Sequence, residues 1–296
     1  MSYSDVPSES KSQIRAAGKT LVSASSESAK YEEALRLADK WRACHAYPLN
    51  TFNVFLRKKT KNFKGSPIVA QRLKRMSTII DKLRRYPNMQ LTTMQDIGGI
   101  RAVLDTVPDV YKLSEVYKKA KFTHELSNEK DYIKSPRGED GYRSLHLIYK
   151  YKNADAPSYD GLQLELQIRT KLQHIWATAV ETMGTFLGQS LKSRQGDQEW
   201  LDFFAVVSSA FAHIEETPLV PRYSHLSKEQ TFKEVKRLES ILKALDKMRG
   251  LTTAVQVADE SRKKFKRKPG WHYQLIILNS LNHTVSVIPY TKAQFD

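Results

Sequence analysis

Three stretches in the middle of the chain alternate apolar and polar residues with a period of two. In GGIRAVL (98–104), Ile100, Ala102 and Leu104 alternate with Arg101 and Val103. In YRSLHLIYKY (142–151), Leu145, Leu147, Tyr149 and Tyr151 share one face, and Ser144, His146, Ile148 and Lys150 share the other. GLQLELQIRT (161–170) sets Leu162, Leu164, Leu166 and Ile168 against Gln163, Glu165, Gln167 and Arg169. This period belongs to strands with one face on a core. The segment YKNADAPSYDG between the last two carries a proline, a glycine and two aspartates, which predicts an antiparallel hairpin with a long loop.

The surrounding sequence reads at helical spacing. Helices are expected near 11–22, 28–44, 108–120, 170–188, 197–215 and 228–248. HAYPLN (45–50) is read as a break, with a further helix from about Thr51. STIIDKLRRY (77–86) predicts a helix capped by Ser77 or Thr78, with Thr78 and Asp81 in capping-box spacing. The expected fold class is α+β: a small mixed β-sheet surrounded by helices, followed by a C-terminal element. That element combines a helix carrying Phe232, Val235, Leu238, Ile241, Leu242 and Leu245 with a hairpin formed by YQLIILN and TVSVIPY. The expected organisation is an N-terminal helical segment (1–34), a central domain (35–215) and a C-terminal helix and β element (216–296).

Composition narrows the partners. The net charge is +16, which suits polyanions such as nucleic acid, nucleotides or anionic lipid. From Val54 to Tyr86 there are eleven Lys or Arg and one acid, Asp81. Arg57, Lys58, Lys59 and Lys61 open this run as candidates for binding RNA phosphates. A second basic cluster, SRKKFKRK (261–268), reads equally as a linker. The single cysteine, Cys44, excludes an intramolecular disulfide and a cysteine-based zinc site. No apolar run reaches the roughly 18 residues of a membrane span, and the polar start MSYSDVPSESKSQIR lacks the apolar centre of a signal peptide. A cytoplasmic protein is expected.

The polar face of 161–170 can be plain solvated surface or the floor of a site. Asp96 precedes strand 98–104 beside two glycines that let a ligand approach the backbone. If the two strands are neighbours, Asp96 and Glu165 face one cleft. Two carboxylates with nucleotide phosphates suit Mg²⁺, and one carboxylate can take a proton from an attacking hydroxyl. Arg72, Lys74, Ser77, Lys82 and Arg101 lie near, which a triphosphate requires. The stretch 128–146 adds Lys130, Lys134, Arg137, Tyr142 and His146. Tyr142 can stack on a base or sit half-buried in a strand.

RLKRMSTIIDKL, DIGGIR, EKDYIKSPRGEDGYRSLH and LELQIRTKLQHIWA occur in an order and spacing that strongly resemble the synthetase domain of the RelA/SpoT alarmone synthetases. The resemblance covers roughly 35–215 and implies a nucleotidyltransferase-like synthetase fold. It implies transfer of pyrophosphate from ATP to a ribose 3′-hydroxyl with release of AMP. Asp96 and Glu165 would hold Mg²⁺, and Glu165 would help deprotonate the acceptor. Arg72, Lys74, Ser77 and Arg101 would bind ATP. Tyr142 would stack on the acceptor base, with Lys130, His146 and Gln167 near the acceptor or transferring phosphates. The chain has no His-Asp dipeptide, so the hydrolase activity of long family members is not expected.

HAYPLNTF and LQHIWATAVETMGTF resemble, more narrowly, toxic small alarmone synthetases of the fused toxin–antitoxin CapRel kind. That likeness implies the tRNA 3′ CCA end as acceptor. It also implies a C-terminal domain that restrains the toxin until a phage protein is sensed, here in a chain cut short. Two alternatives stand beside it. One is a (p)ppGpp synthetase using GDP or GTP, for which the wide basic run has no evident use. The other is an inactive RNA-binding module, in which both carboxylates would only repel the polyanion.

Overall fold

The structure is a computed structural model that describes residues 3–250, 271–279 and 284–291, with side chains described within 3–250 apart from that of Lys192. Five strands form the main sheet: β1 (Ile68–Leu73), β2 (Gly98–Leu104), β3 (Glu125–Asp131), β4 (Leu145–Lys150) and β5 (Gln163–Thr170). Their order is β1-β2-β5-β4-β3. β2 and β5 are parallel, and the other pairs are antiparallel. The expected hairpin is β4–β5. The expected mixed sheet follows from the crossover that sets β2 beside β5.

The alternation works as anticipated. Ile100, Ala102 and Leu104 of β2, Leu164, Leu166 and Ile168 of β5, and Leu145, Leu147 and Tyr149 of β4 are all buried in one core. α1 (Lys11–Ser23), α2 (Ala29–Ala43), α3 (Ala46–Thr60), α4 (Met76–Arg85) and α5 (Val107–Lys118) contribute to that core. Ile14, Ala17 and Leu21 of α1 pack there with Trp41 of α2, so the segment 1–34, expected to be separate, is continuous with the sheet's own core.

A second apolar cluster lies beyond the other end of β5. Trp176, Val180 and Met183 of α6 (Lys171–Phe186) meet Trp200, Phe203 and Phe204 of α7 (Gln198–Glu215). Leu238 and Leu242 of α8 (Lys228–Leu242) complete it. α8 therefore packs on α7 and is not an independent element. Phe232, Ile241 and Leu245, expected on its buried face, are exposed, and the helix stops at Lys243 in a left-handed conformation (φ 51°). β6 (Trp271–Asn279) and β7 (Thr284–Thr291) pair antiparallel as expected. Their side chains, the basic cluster 261–268 and residues 280–283 lie outside what is described.

Four local expectations need correction. β1 and β3 escape a pattern search because, as edge strands, they bury little and do not alternate. The break at HAYPLN is confined to its first residue: α2 ends at Ala43 and α3 starts at Ala46, not near Thr51, with Pro48 in its first turn, where its missing amide costs nothing. α4 starts at Met76 after Arg75 without any side-chain cap, so neither Ser77 nor Thr78 is the cap. α8 ends at Leu242, and after Lys243 the chain is helical again over 244–250, so the helix expected over 228–248 is present but interrupted at Lys243.

Leu166 is 1% exposed on the central strand β5. Leu166→Ala should cost about 2–5 kcal/mol, read as a lower urea midpoint at unchanged slope. A loss under about 1 kcal/mol would show that this face is not the tightly packed one.

Candidate active site

The opposite face of the sheet is polar, and the strand register arranges it in rows. One row runs Arg72, Gly99, Glu165, Ile148, and the next runs Ala70, Arg101, Gln167, His146, Lys130. Asp96 lies in the turn before β2. The backbone N–H of Lys74 donates to the Ile97 carbonyl at 2.8 Å, fixing the end of β1 against that turn. Ala70, Gln71, Arg72, Asp96, Gly99, Ile100, Arg101, Glu165 and Gln167 line one cleft of about 140 Å³. The strand pairing thus joins five residues singled out from sequence: Arg72, Asp96, Arg101, Glu165 and Gln167.

Each carboxylate is held ionised. Lys74 Nζ donates to Asp96 Oδ2 and Lys82 Nζ to Oδ1, both at 2.8 Å. Burial pushes the Asp96 carboxyl up, but Lys82 and Lys74 outweigh it and bring its pKa down to about 2. Lys82 was noted in the sequence only as a nearby cation. Its placement on the buried-polar side of α4, whose apolar side carries Ile79, Ile80 and Leu83, brings it to Asp96. Glu165 is reached by His146 Nδ1 at 2.8 Å and by Gln167 Nε2 at 2.7 Å. Burial raises its pKa, as does the charge on Asp96; the His146 and Gln167 contacts prevail and lower it.

These contacts form one chain across three strands. Arg101 donates to Gln167 Oε1 at 3.1 Å, Gln167 donates to Glu165, and Tyr142 Oη lies 2.9 Å from His146 Nε2. An ionised carboxylate only accepts, so His146 Nδ1 carries the hydrogen. In the neutral ring Nε2 then accepts from the Tyr142 hydroxyl. His146 is accordingly a relay between Tyr142 and Glu165.

Tyr142 differs from expectation. Its ring is 9% exposed and belongs to the second apolar cluster, edge-on to Trp176. The Arg137 guanidinium covers the ring at 4.3 Å from its centroid and pairs with Asp140 at 2.8 Å. As placed, the face expected to take an acceptor base is occupied by Arg137. Lys130 is exposed on edge strand β3 beside His146. Ser77 is exposed in the first turn of α4 and does not line the cleft. Arg57, Lys58, Lys59 and Lys61 stand at the C-terminal end of α3; Arg57 donates to the Val69 carbonyl of β1 at 3.4 Å. The basic run therefore adjoins the strand that forms one wall of the cleft.

A broader groove of about 660 Å³ is lined by Arg85, Tyr86, Glu139, Arg194 and Arg222 among others. Its arginines already pair with Asp81, Glu139 and Asp202, so it offers little uncompensated charge. Arg72 and Arg101 of the small cleft have no salt bridge among the described residues.

The mixed sheet thus sets two ionised carboxylates among arginines in one cleft. Residues 71–184 match the family described as a region found in RelA / SpoT proteins. The chain is 36% identical over 118 residues to the GTP pyrophosphokinase YjbM of Bacillus subtilis, covering 38% of this chain and 54% of that protein. It is 33% identical over 116 residues to the GTP pyrophosphokinase YwaC of the same organism, covering 36% and 52%. It thus spans about half the length of these curated relatives. The crystal structure of the small alarmone synthetase 1 from Bacillus subtilis bound to its product pppGpp superposes with a TM-score of 0.50 at 23% identity, over 57% of this chain and 88% of that one. Residues 71–184 are thus similar to the RelA/SpoT region, and the fold is that of the superposed small alarmone synthetase. Among the described residues no helix is long and apolar enough to cross a membrane.

Asp96 gives a pH signature. Its folded pKa of about 2 lies below the ordinary aspartate value of 3.8, so its contribution is complete above pH 4 and is lost as pH falls toward 2. A shift of that size is worth about 2 kcal/mol. Asp96→Asn should lower stability by about that amount at pH 7, and the deficit should shrink below pH 4. A deficit in urea denaturation that stays constant down to pH 2 would show the lysine pairing is not its source.

Proposed function

We propose that the chain is an ATP-dependent pyrophosphokinase that transfers pyrophosphate from ATP to a ribose 3′-hydroxyl and releases AMP. The observation that carries this reading is the cleft in which Asp96 and Glu165 face Arg72, Arg101 and Gln167. A triphosphate with nearly four negative charges matches such a set of guanidinium and ammonium groups. Arg72, Arg101 and Lys74 would hold its phosphates. Ser77 would add its hydroxyl beside the uncapped amides of α4.

The donor set fits Mg²⁺. Among the described residues no group of three or more His, Cys, Asp or Glu forms a protein-only metal cage. Mg²⁺ commonly takes only one or two carboxylates together with phosphates and waters. Asp96 and Glu165 would hold it, and when bound it supplies charge neutralisation on the phosphates. Glu165 would orient the acceptor hydroxyl and take its proton. Its lowered pKa makes it a weak base that accepts late, while His146 and Gln167 fix its two oxygens. Tyr142 would reach an acceptor base only after Arg137 leaves its face. Lys130, beside His146, would meet acceptor phosphates.

The acceptor we infer is the 3′ CCA end of tRNA. The net charge of +16 and the run Arg57, Lys58, Lys59 and Lys61 beside β1 support it, because a nucleic acid needs cationic surface outside the catalytic cleft. The second reading is a (p)ppGpp synthetase, favoured by the names of the curated relatives, GTP pyrophosphokinases. Against an inactive RNA-binding module stands the retention of both ionised carboxylates in the cleft. A cytoplasmic toxin restrained by its own C-terminal segment and released by a phage protein extends the tRNA reading. It rests on resemblance, and residues 251–270, 280–283 and 292–296 of its segment lie outside the described residues.

Glu165→Gln should cut AMP release by about a hundredfold or more while the chain stays folded. Near-normal turnover would remove Glu165 from the reaction. With β-labelled ATP, Mg²⁺ and either bulk tRNA or GDP/GTP, label is expected on tRNA. Neutralising Arg57, Lys58, Lys59 and Lys61 together should weaken that labelling and flatten its salt dependence, with ATP binding little changed. Label on GDP or GTP alone would select the second reading.

A further inference from the structure

Three cations are buried among the described residues: Lys74, Arg143 and Arg169. Lys74 has the Asp96 carboxylate. Arg143 donates to Ser208 Oγ, the Ile133 carbonyl and Thr217 Oγ1. Arg169 has neither arrangement. It is 3% exposed, its Nε is buried without a partner, and its hydrogen bond goes to His174 Nδ1 of α6. A guanidinium can only donate, so Nδ1 must present its lone pair and His174 is neutral in this pairing. The lowered pKa of His174, set by burial, Arg169 and Arg101, agrees.

A buried cation hydrogen-bonded only to a neutral ring is costly unless an anion compensates it. Glu181 of α6 attracts Arg169 electrostatically but forms no salt bridge with it. Burial and the charge of Arg101 bring the Arg169 pKa down to about 10, still far above neutrality, so the cost is not relieved by deprotonation. Its position says which anion would compensate it. On β5 it follows Glu165 and Gln167 on the same face, two residues beyond Gln167, roughly 7 Å along the strand. Gln167 pairs with Arg101, and Arg169 pairs with Val103 on β2. Arg101 likewise bonds only a neutral amide, that of Gln167, and Arg72 couples electrostatically to both arginines. Arg72, Arg101 and Arg169 thus line up from the cleft toward Tyr142.

We propose that Arg169, held by neutral His174, is a further positioning residue that extends the positive wall of the cleft and, with Arg101, fixes a phosphate group of a nucleotide polyphosphate. This rests on the pyrophosphokinase reading and adds a residue that the sequence comparison of roles left unassigned. Arg169 is too buried to envelop the anion itself. It acts from behind, adding fixed charge and directing Arg101 forward, and anion binding relieves the repulsion between the two guanidinia.

The test uses a contrast of sign. The full chain is melted without ligand, and then titrated calorimetrically with inorganic pyrophosphate, with Mg·ATP and with Mg·GDP. Arg169→Gln should melt at or above the parent temperature, because removing an uncompensated buried charge is neutral or stabilising. It should bind pyrophosphate about tenfold more weakly or worse, a loss of about 1.4 kcal/mol. Arg169→Lys should recover part of that affinity. His174→Gln, which keeps an acceptor, should stay near the parent, whereas His174→Leu should weaken binding like Arg169→Gln. Alongside the loss with pyrophosphate, a loss with Mg·ATP but not Mg·GDP assigns the phosphate to the donor, and the reverse assigns it to the acceptor; either supports the proposal. Unchanged pyrophosphate affinity in Arg169→Gln, a parent that does not bind pyrophosphate, or an Arg169→Gln chain that melts lower or fails to fold would overturn it in favour of a structural arginine. Failure of the parent to release AMP from ATP with any acceptor, while these affinities change as expected, would overturn the pyrophosphokinase reading and leave the anion site standing.

Discussion

The parallel pairing of β2 with β5 is the constraint on which the site depends. It sets Gly99 beside Glu165 and Arg101 beside Gln167, so residues more than sixty positions apart share one floor. A parallel neighbour needs a long crossover, and here the crossover contains α5, β3 and β4 before β5 returns to the centre of the sheet. Gly99, with no side chain of its own, leaves the space in front of Glu165 open.

Once that pairing exists, the two faces have opposite fates. The apolar face is dry and packed by five helices. The polar face is half-buried, so its charges act in a medium less screening than water. Under those conditions each ionised group must find a partner or wait for one. Asp96 and Glu165 have theirs: two lysines for the first, an imidazole and an amide for the second. The arginines Arg101 and Arg169 hydrogen-bond only a neutral amide and a neutral imidazole, so the local imbalance is positive.

The same economy explains Tyr142. Its hydroxyl is tied through His146 to Glu165, and its ring packs in the second apolar cluster, edge-on to Trp176 of α6. Arg137 on its outer face is anchored by Asp140 within a loop closed by Gly141, whose φ of +79° and close approach to Ser208 exclude a side chain.

Much was legible in the sequence because period two survives wherever a strand is buried on one side. β2, β4 and β5, their polar face, and Asp96 with Glu165 followed from alternation and from two adjacent glycines. β1 and β3 did not, since edge strands bury too little to pattern. The burial of Tyr142, the double lysine grip on Asp96 and the uncompensated Arg169 were not legible either. Each depends on which segments meet across the sheet, and burial, which decides whether a charge needs a partner, is a property of that meeting. The order of residues along the chain determined which groups share a face; the packing of α4 and α6 against that face decided which of them are paired and which are left to bind.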